Sequence, residues 1–191
     1  MKGGTLFELL TTGGPLPEDR AGRLTYQLLQ GLDHLHKSGV MHRDIKPENL
    51  FFRSGARDVI VIGDFGFATT EIPSTGYMGS PQYSAPELAL IGLHRDEASA
   101  LKAMYNEKCD LWSIGVVLFV MLTGLLPFDG LTPNEVFTSV VKNTMPFNKP
   151  ACRAITPSAK QFILSLTASN PSKRPTATAA LRSPWLSAYK Y

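Results

Sequence analysis

Cysteine and histidine are scarce in this 191-residue chain, which has two cysteines and four histidines. Cys109 and Cys152 lie far apart and form no C-x-x-C pair, and no histidine stands at metal-ligand spacing beside them. This pattern excludes a zinc-ribbon site and a disulfide-stapled scaffold. It predicts two unreactive thiols in a reducing compartment.

Runs of like charge are also absent. The 19 basic and 16 acidic residues are scattered along the chain and leave a net charge of +3. A basic stripe is the usual footprint of nucleic-acid binding, so we expect no nucleic-acid partner. The first ten residues, MKGGTLFELL, lack the apolar core and cleavage site of a secretory signal. We therefore expect a cytoplasmic protein, with the nucleus as the alternative.

Only one apolar run approaches the length that a bilayer requires. It spans Leu111–Phe128 and is bracketed by Asp110 and Pro127, without a basic flank on either side. A helix that is hydrophobic on all faces is also what the centre of a helical domain needs. We expect this second arrangement and no membrane partner.

What is present predicts one globular, mainly α domain, since 43% of the residues are hydrophobic and 18% are charged. Leu24, Leu28, Leu32 and Leu35 recur at helical spacing, which predicts a helix from Pro17–Glu18 to the glycine at position 39. Two β-prone runs, 50–53 and 59–62, predict a small hairpin, and a loop rich in Thr, Ser and Gly follows at 64–87. The other predicted elements are a short amphipathic turn at 5–10 and helices at 110–123, 133–142, 157–168 and 177–181.

Five short motifs carry the functional signal: HRDIKPEN at 42–49, DFG at 64–66, SPQYSAPE at 80–87, DLWSIG at 110–115 and KRP at 173–175. In this order and at these separations they resemble the C-terminal lobe of a eukaryotic protein kinase. Lys46 directly after HRDI, and Ser80, match the serine/threonine pattern. The segments LTGLLPF and NPSKRPTATAALRSPW are most similar to the calcium/calmodulin-dependent kinase group.

The resemblance implies ATP and Mg²⁺ as cofactors and a protein hydroxyl as substrate. Asp44 would accept the proton of that hydroxyl, and Lys46 would neutralise charge on the transferred phosphoryl group. Asn49 and Asp64 would supply oxygen ligands for Mg²⁺. From residue chemistry alone, Asp44 and Asn49 could instead cap turns, and Asp64 could end a strand. Four functional residue types in this order favour the catalytic interpretation.

Other matching positions would bind nucleotide or substrate. The resemblance implies that Phe51 and Met1, with Leu6 beside them, form an apolar floor beneath adenine. Glu48 and Ser80 would contact the protein substrate. Thr5 stands where this group often carries a glutamate that recognises a substrate arginine, so a preference for basic substrates does not follow from the motif.

Residues 64–87 match the activation segment of the family. Arg43 would bind a phosphate that an upstream kinase adds to Thr75 or, failing that, to Ser74. Glu87 and Arg174 match a buried ion pair that anchors the segment.

Two further expectations follow from the same resemblance. His42 and Phe65 would stack and join the loops to Asp110. The segment between Glu87 and Asp110 is longer than the family usually has, and we expect it to loop out near the substrate shelf.

The chain contains neither the Gly-rich phosphate loop G-x-G-x-x-G nor the strand lysine of V-A-I-K. We therefore expect residues 1–191 to form the C-terminal lobe without the N-terminal lobe, which a longer polypeptide or a second chain would supply. Two interpretations remain: a fragment of an active serine/threonine kinase, or a catalytically silent one-lobe protein that binds partners. The intact base and metal ligands favour the first.

Overall fold

The computed structural model describes residues 3–94 and 103–190. The described helices are α1 Leu6–Gly13, α2 Glu18–Lys37, α3 Pro86–Leu93, α4 Lys108–Thr123, α5 Pro133–Lys142, α6 Pro157–Leu166, α7 Ala177–Ala180 and α8 Pro184–Ser187. The same ranges hold two antiparallel pairs of short strands: β1 Leu50–Phe52 with β2 Ile60–Ile62, and β3 Ser74–Thr75 with β4 Met104–Tyr105. This is the mainly helical C-terminal lobe that the motifs predict.

Helix α4 is the centre of the molecule, and every residue from Cys109 to Thr123 is buried. Helices α2 and α6 pack against it from the side of the larger core cluster. Gly115 permits the close approach of α6, because a Cβ there would lie 2.7 Å from Cγ2 of Thr167. In the described part of the chain no helix has the length and apolar character to cross a membrane.

Local sequence explains where most helices begin and end. Thr5 caps α1 by accepting from the N–H of Glu8, whose carboxylate accepts from the N–H of Thr5 in return. Thr132 and Thr156 cap α5 and α6 in the same way with their hydroxyls. Helix α4 ends at Gly124, which has a left-handed φ of 69°.

Helix α1 is longer than the predicted turn at 5–10, since it continues to Gly13. The hydroxyl of Thr12 donates to the carbonyl of Glu8 at 2.8 Å, and the N–H of Gly14 donates to the carbonyl of Leu10 at 2.9 Å. These bonds satisfy backbone carbonyl groups in the last turns of α1, and the helix extends into the Gly-rich stretch. The expected boundary was therefore too early.

The expectation that the segment after Glu87 loops out was wrong for its first part. Residues 86–93 form α3, which begins at Pro86, a residue suited to the first turn of a helix. Leu88 and Ile91 are buried in a second core cluster, where α3 packs on α5. Residues 95–102 of the same segment lie outside the described residues.

Candidate active site

The loop between α2 and β1 carries the HRDIKPEN motif, and the buried carboxylate of Asp110 anchors it. One oxygen of Asp110 accepts from the backbone N–H of Arg43 at 2.8 Å. The other accepts from the backbone N–H of His42 at 2.9 Å and lies 2.9 Å from Nε2 of His36. Asp110 is 1% exposed, so burial strengthens these charge-assisted bonds and fixes the loop on α4.

The expected contact of His42 with Phe65 is present, but the rings are not stacked. The two rings meet edge to face with centroids 5.2 Å apart. His42 Nε2 lies 3.0 Å from the carbonyl oxygen of Gly63, one residue before Asp64. The catalytic loop and the DFG loop are thereby held against each other.

The carboxylate of Asp44 is contacted by three other residues singled out in the sequence. Its Oδ1 accepts from the hydroxyl of Ser80 at 2.9 Å. Its Oδ2 accepts from Nδ2 of Asn49 and lies 2.9 Å from Nζ of Lys46. Lys46 also donates to the hydroxyl of Ser80 at 2.8 Å. Asp44 is 6% exposed, so these donors compensate for the burial of a charge.

A hard cation such as Mg²⁺ prefers oxygen ligands. Asn49 and Asp64 offer such oxygens at the same end of the β1–β2 hairpin. The N–H of Gly63 donates to the carbonyl oxygen of Asn49 at 2.9 Å, which joins the backbone of Asn49 to the residue before Asp64. Asn49 uses Nδ2 towards Asp44, which leaves Oδ1 as an acceptor. Asp64 is exposed and has a left-handed φ of 57°.

The donor set fits Mg²⁺, which takes one or two protein oxygens and completes its shell with water and phosphate. In the described ranges no group of three or more His, Cys, Asp or Glu side chains could hold a metal by itself. A cation at Asn49 and Asp64 would therefore take its remaining ligands from water or phosphate oxygens.

The residues expected to form an adenine floor are Phe51, Leu6 and Met1, and a contact of Phe51 with adenine stays a prediction. Phe51 is half-buried in the middle of β1, paired with Val61. Its ring covers Gly63, where a Cβ would lie 2.8 Å from Cδ2 of Phe51. Leu6 is fully buried in the core, so its place in the floor was wrong. Met1 lies outside the described residues.

The ion pair expected between α3 and the KRP motif is present and buried. Nη1 and Nη2 of Arg174 donate to the two carboxylate oxygens of Glu87 at 2.6 and 2.7 Å. The guanidinium lies over the ring of Trp112, with its carbon 5.2 Å from the ring centroid. The far end of the activation segment is thereby attached to α4.

Comparison with known proteins agrees with this geometry. The family model described as protein kinase domain matches residues 1–186. The chain belongs to the protein kinase family. It is 35% identical over 190 residues to calcium/calmodulin-dependent protein kinase type 1 of Caenorhabditis briggsae. The aligned region covers 97% of this chain and 50% of that protein.

Two other curated relatives are also kinases by name. CDPK-related kinase 4 of Arabidopsis thaliana is 37% identical over 190 residues, or 97% of this chain and 30% of that protein. A serine/threonine-protein kinase H1 homolog of Danio rerio is 32% identical over 190 residues, and this alignment covers 96% of this chain and 42% of that protein. The chain thus spans about half or less of the length of these curated relatives.

The activation segment of this kinase-family chain lies directly on the catalytic loop. Backbone bonds of 2.9 Å in both directions join Met41 and Thr69 at its start. Further along, a Cβ on Gly79 would lie 2.4 Å from the carbonyl oxygen of Arg43, and Gly79 has a φ of +105°. Only glycine permits that approach, which sets Ser80 beside Asp44.

The two predicted phosphorylation positions differ in their surroundings. The Ser74 hydroxyl accepts from Nη1 of Arg43 at 3.2 Å, and Ser74 is 7% exposed. Thr75 is exposed and pairs with Met104 in the β3–β4 strands. Phosphorylation at either position stays a prediction.

An open groove lies beside Lys46. Its cavity of about 380 Å³ is lined by Glu48 and Ser80 together with Phe7, Leu10, Tyr83 and Leu126. Burial, and then the charge of Glu48, raise the pKa of Tyr83 well above its ordinary value, so its hydroxyl stays neutral. Glu48 itself is exposed and supplies a negative charge at the groove wall.

Sequence reasoning missed two residues of this region. His36 lies against Asp110, and Tyr105 lies against Arg43, with its hydroxyl 3.2 Å from Nη1. Neither belongs to one of the five motifs. The two-residue strand that carries Tyr105 is too short for any period to reveal it.

Proposed function

We propose that this chain is the catalytic lobe of a serine/threonine protein kinase, which transfers the γ-phosphoryl group of ATP to a hydroxyl of a protein substrate. The observation that carries the proposal is the buried Asp44 carboxylate with Lys46, Asn49 and Ser80 around it. A binding module has no physical need for this combination of base, cation and amide.

In the proposed reaction the substrate hydroxyl lies in the groove next to Asp44. Its oxygen forms a bond to the γ-phosphorus while the bond from that phosphorus to the β,γ-bridging oxygen breaks. The hydroxyl proton passes to the carboxylate of Asp44 late in the transfer. Lys46 offsets the negative charge that spreads over the transferred group.

Asn49 and Asp64 are the residues that would hold Mg²⁺, and Phe51 is the residue that would contact adenine. Mg²⁺ bound there would neutralise the negative charge of the nucleotide phosphates. The fit rests on the oxygen donors of Asn49 and Asp64 and on the half-buried ring of Phe51 beside them.

The Gly-rich loop and strand lysine that would hold the phosphates from above are not found in residues 1–191. Phosphoryl transfer depends on positioning and preorganised charge, and losing one such donor commonly costs about 3–4 kcal/mol of barrier. We therefore propose that an N-terminal lobe, in the same polypeptide or in a second chain, is the partner that completes the site.

The test is transfer of labelled γ-phosphate to a Ser/Thr peptide, measured for residues 1–191 and for the chain extended upstream. We expect negligible turnover from residues 1–191 and clear turnover from the extended protein. Asp44→Asn in the extended protein should lower kcat at least about 100-fold. Asp58→Asn, an exposed carboxylate on the hairpin, is the control and should have no effect.

Two results would overturn the proposal. Turnover by the extended protein that Asp44→Asn leaves intact would remove Asp44 as the base. An extended protein that binds no nucleotide and transfers no phosphate would leave the silent interaction module as the function.

A further inference from the structure

Arg43 is held in one orientation by its backbone. It has a left-handed φ of 69°, which is uncommon for a residue with a Cβ, and its N–H is bound to the buried carboxylate of Asp110. Its side chain therefore leaves the catalytic loop in a fixed direction, towards the activation segment. Nε of Arg43 donates to the carbonyl oxygen of Phe67 at 2.6 Å.

Two hydroxyls complete the surroundings of this guanidinium. Nη1 of Arg43 donates to Oγ of Ser74 and to the phenolic oxygen of Tyr105, both at 3.2 Å. All three acceptors are uncharged groups of the chain itself. The guanidinium of Arg43 thus has acceptors within the chain itself.

Tyr105 comes from outside the activation segment and pairs with it through the backbone. In the β3–β4 pair it lies directly opposite Ser74, so the backbones of the two segments are joined at this residue. Its ring is buried, with 4% exposed, in the core cluster that contains Trp112. Tyr105 therefore connects the segment before α4 both to the activation segment and to the catalytic loop.

The position of Ser80 beside Asp44 depends on the same contacts. Gly79 lies against the carbonyl of Arg43, and Ser80 follows it and donates to Asp44 at 2.9 Å. A shift of the segment at Ser74 or of Arg43 would displace this neighbour of the base. Displacements of about 1 Å commonly cost on the order of 100-fold in rate.

We infer that Tyr105 is a positioning residue, which holds the unphosphorylated activation segment in its catalytic arrangement by bonding Arg43 and pairing with Ser74. This inference rests on the proposed function. A phosphate on the segment would act on an arrangement that already exists, and any activation by it would add to a basal activity that Tyr105 sustains.

The test uses the upstream-extended protein after phosphatase treatment. Tyr105→Phe removes the hydroxyl and keeps the ring in the core, and Tyr189→Phe is the matched control at a distant, partly buried tyrosine. We expect Tyr105→Phe to increase amide hydrogen exchange at residues 74–75 and to lower kcat, each by about tenfold, as the loss of a hydrogen bond to a charged group implies. KM for ATP should not change.

A second variant separates positioning from general destabilisation. Ser74→Asp, added to Tyr105→Phe, gives Arg43 a carboxylate acceptor at the same place and should restore most of kcat. A loss of fold stability alone would not be repaired by that change.

The inference is wrong if the Tyr105→Phe protein shows the same amide hydrogen exchange at residues 74–75 as the Tyr189→Phe protein. It is also wrong if kcat stays at the wild-type value, or if Ser74→Asp fails to restore a lowered kcat. Should the extended wild-type protein show no transfer at all, the proposed function fails. The exchange measurement then still decides whether Tyr105 holds the segment.

Discussion

Breaking the Glu87–Arg174 pair should destabilise the fold strongly and unequally, depending on which partner is removed. The side chain of Arg174 is 0% exposed and that of Glu87 is 16% exposed. Removing one partner of a buried pair costs about 3–5 kcal/mol, because the other charge is left without compensation. The contacts that remain in each variant decide which end of this range applies to it.

Glu87→Ala leaves the guanidinium with three carbonyl acceptors, those of Lys108, Ala168 and Ser169, at 3.0, 2.8 and 3.2 Å. It also keeps its position over Trp112. We therefore expect a loss of about 3 kcal/mol.

Arg174→Met removes the donors of all three carbonyls as well as the partner of Glu87. We expect about 5 kcal/mol, the upper end of the range. In a chain of this size each kcal/mol shifts Tm by roughly 2–4 °C, so the two variants should melt roughly 6–20 °C below the wild type.

The assay is urea unfolding of residues 1–191, followed by fluorescence and checked by thermal melting. The control is Asp19→Asn, which breaks an ion pair of the same 2.6 Å length on the surface, where the Arg23 and Asp19 side chains are 42% and 62% exposed. Such pairs contribute about 0–1 kcal/mol. If Glu87→Ala costs no more than Asp19→Asn, or if Arg174→Met costs less than Glu87→Ala, the reasoning is refuted.

Two other predictions concern acid stability and regulation. Burial raises the pKa of Glu18, but hydrogen bonds from Thr156 and Trp185 outweigh this and hold it below its ordinary value of 4.5. Ionised Glu18 therefore adds its full stability above pH 4.5 and loses it as the pH falls further. The loss of unfolding free energy in Glu18→Gln, measured by urea unfolding, should be largest near about pH 6 and shrink below about pH 4.5. A loss that stays constant with pH would contradict this. Phosphate at Thr75 or Ser74 should increase kcat through the arginine of the catalytic loop, as phosphosite mapping with kinetics on both alanine variants would reveal, and full activity of the double variant would exclude it.

Much of the fold and of the site could be predicted from the sequence, because the signals are local. The spacing of Leu24, Leu28 and Leu32 depends only on the period of a helix, and all three are buried on α2. The catalytic motif is equally local, since Asp44, Lys46 and Asn49 lie within six residues and their chemistry requires these residue types. The Glu87–Arg174 pair was also predictable, but only through the resemblance of two separate motifs to one family.

Only the tertiary structure decided the contacts that cross between distant segments without a motif. Leu6 follows a Gly-rich start, yet it is fully buried because α1 turns its side chain into the core. Helix α3 starts with a local signal at Pro86, but the burial of Leu88 and Ile91 against α5 follows only from the tertiary structure. Tyr105 meets Ser74 and Arg43 across 31 and 62 positions of sequence, and a strand of two residues carries no periodicity. Such pairings depend on burial and cross-strand neighbours that exist only once the chain has folded.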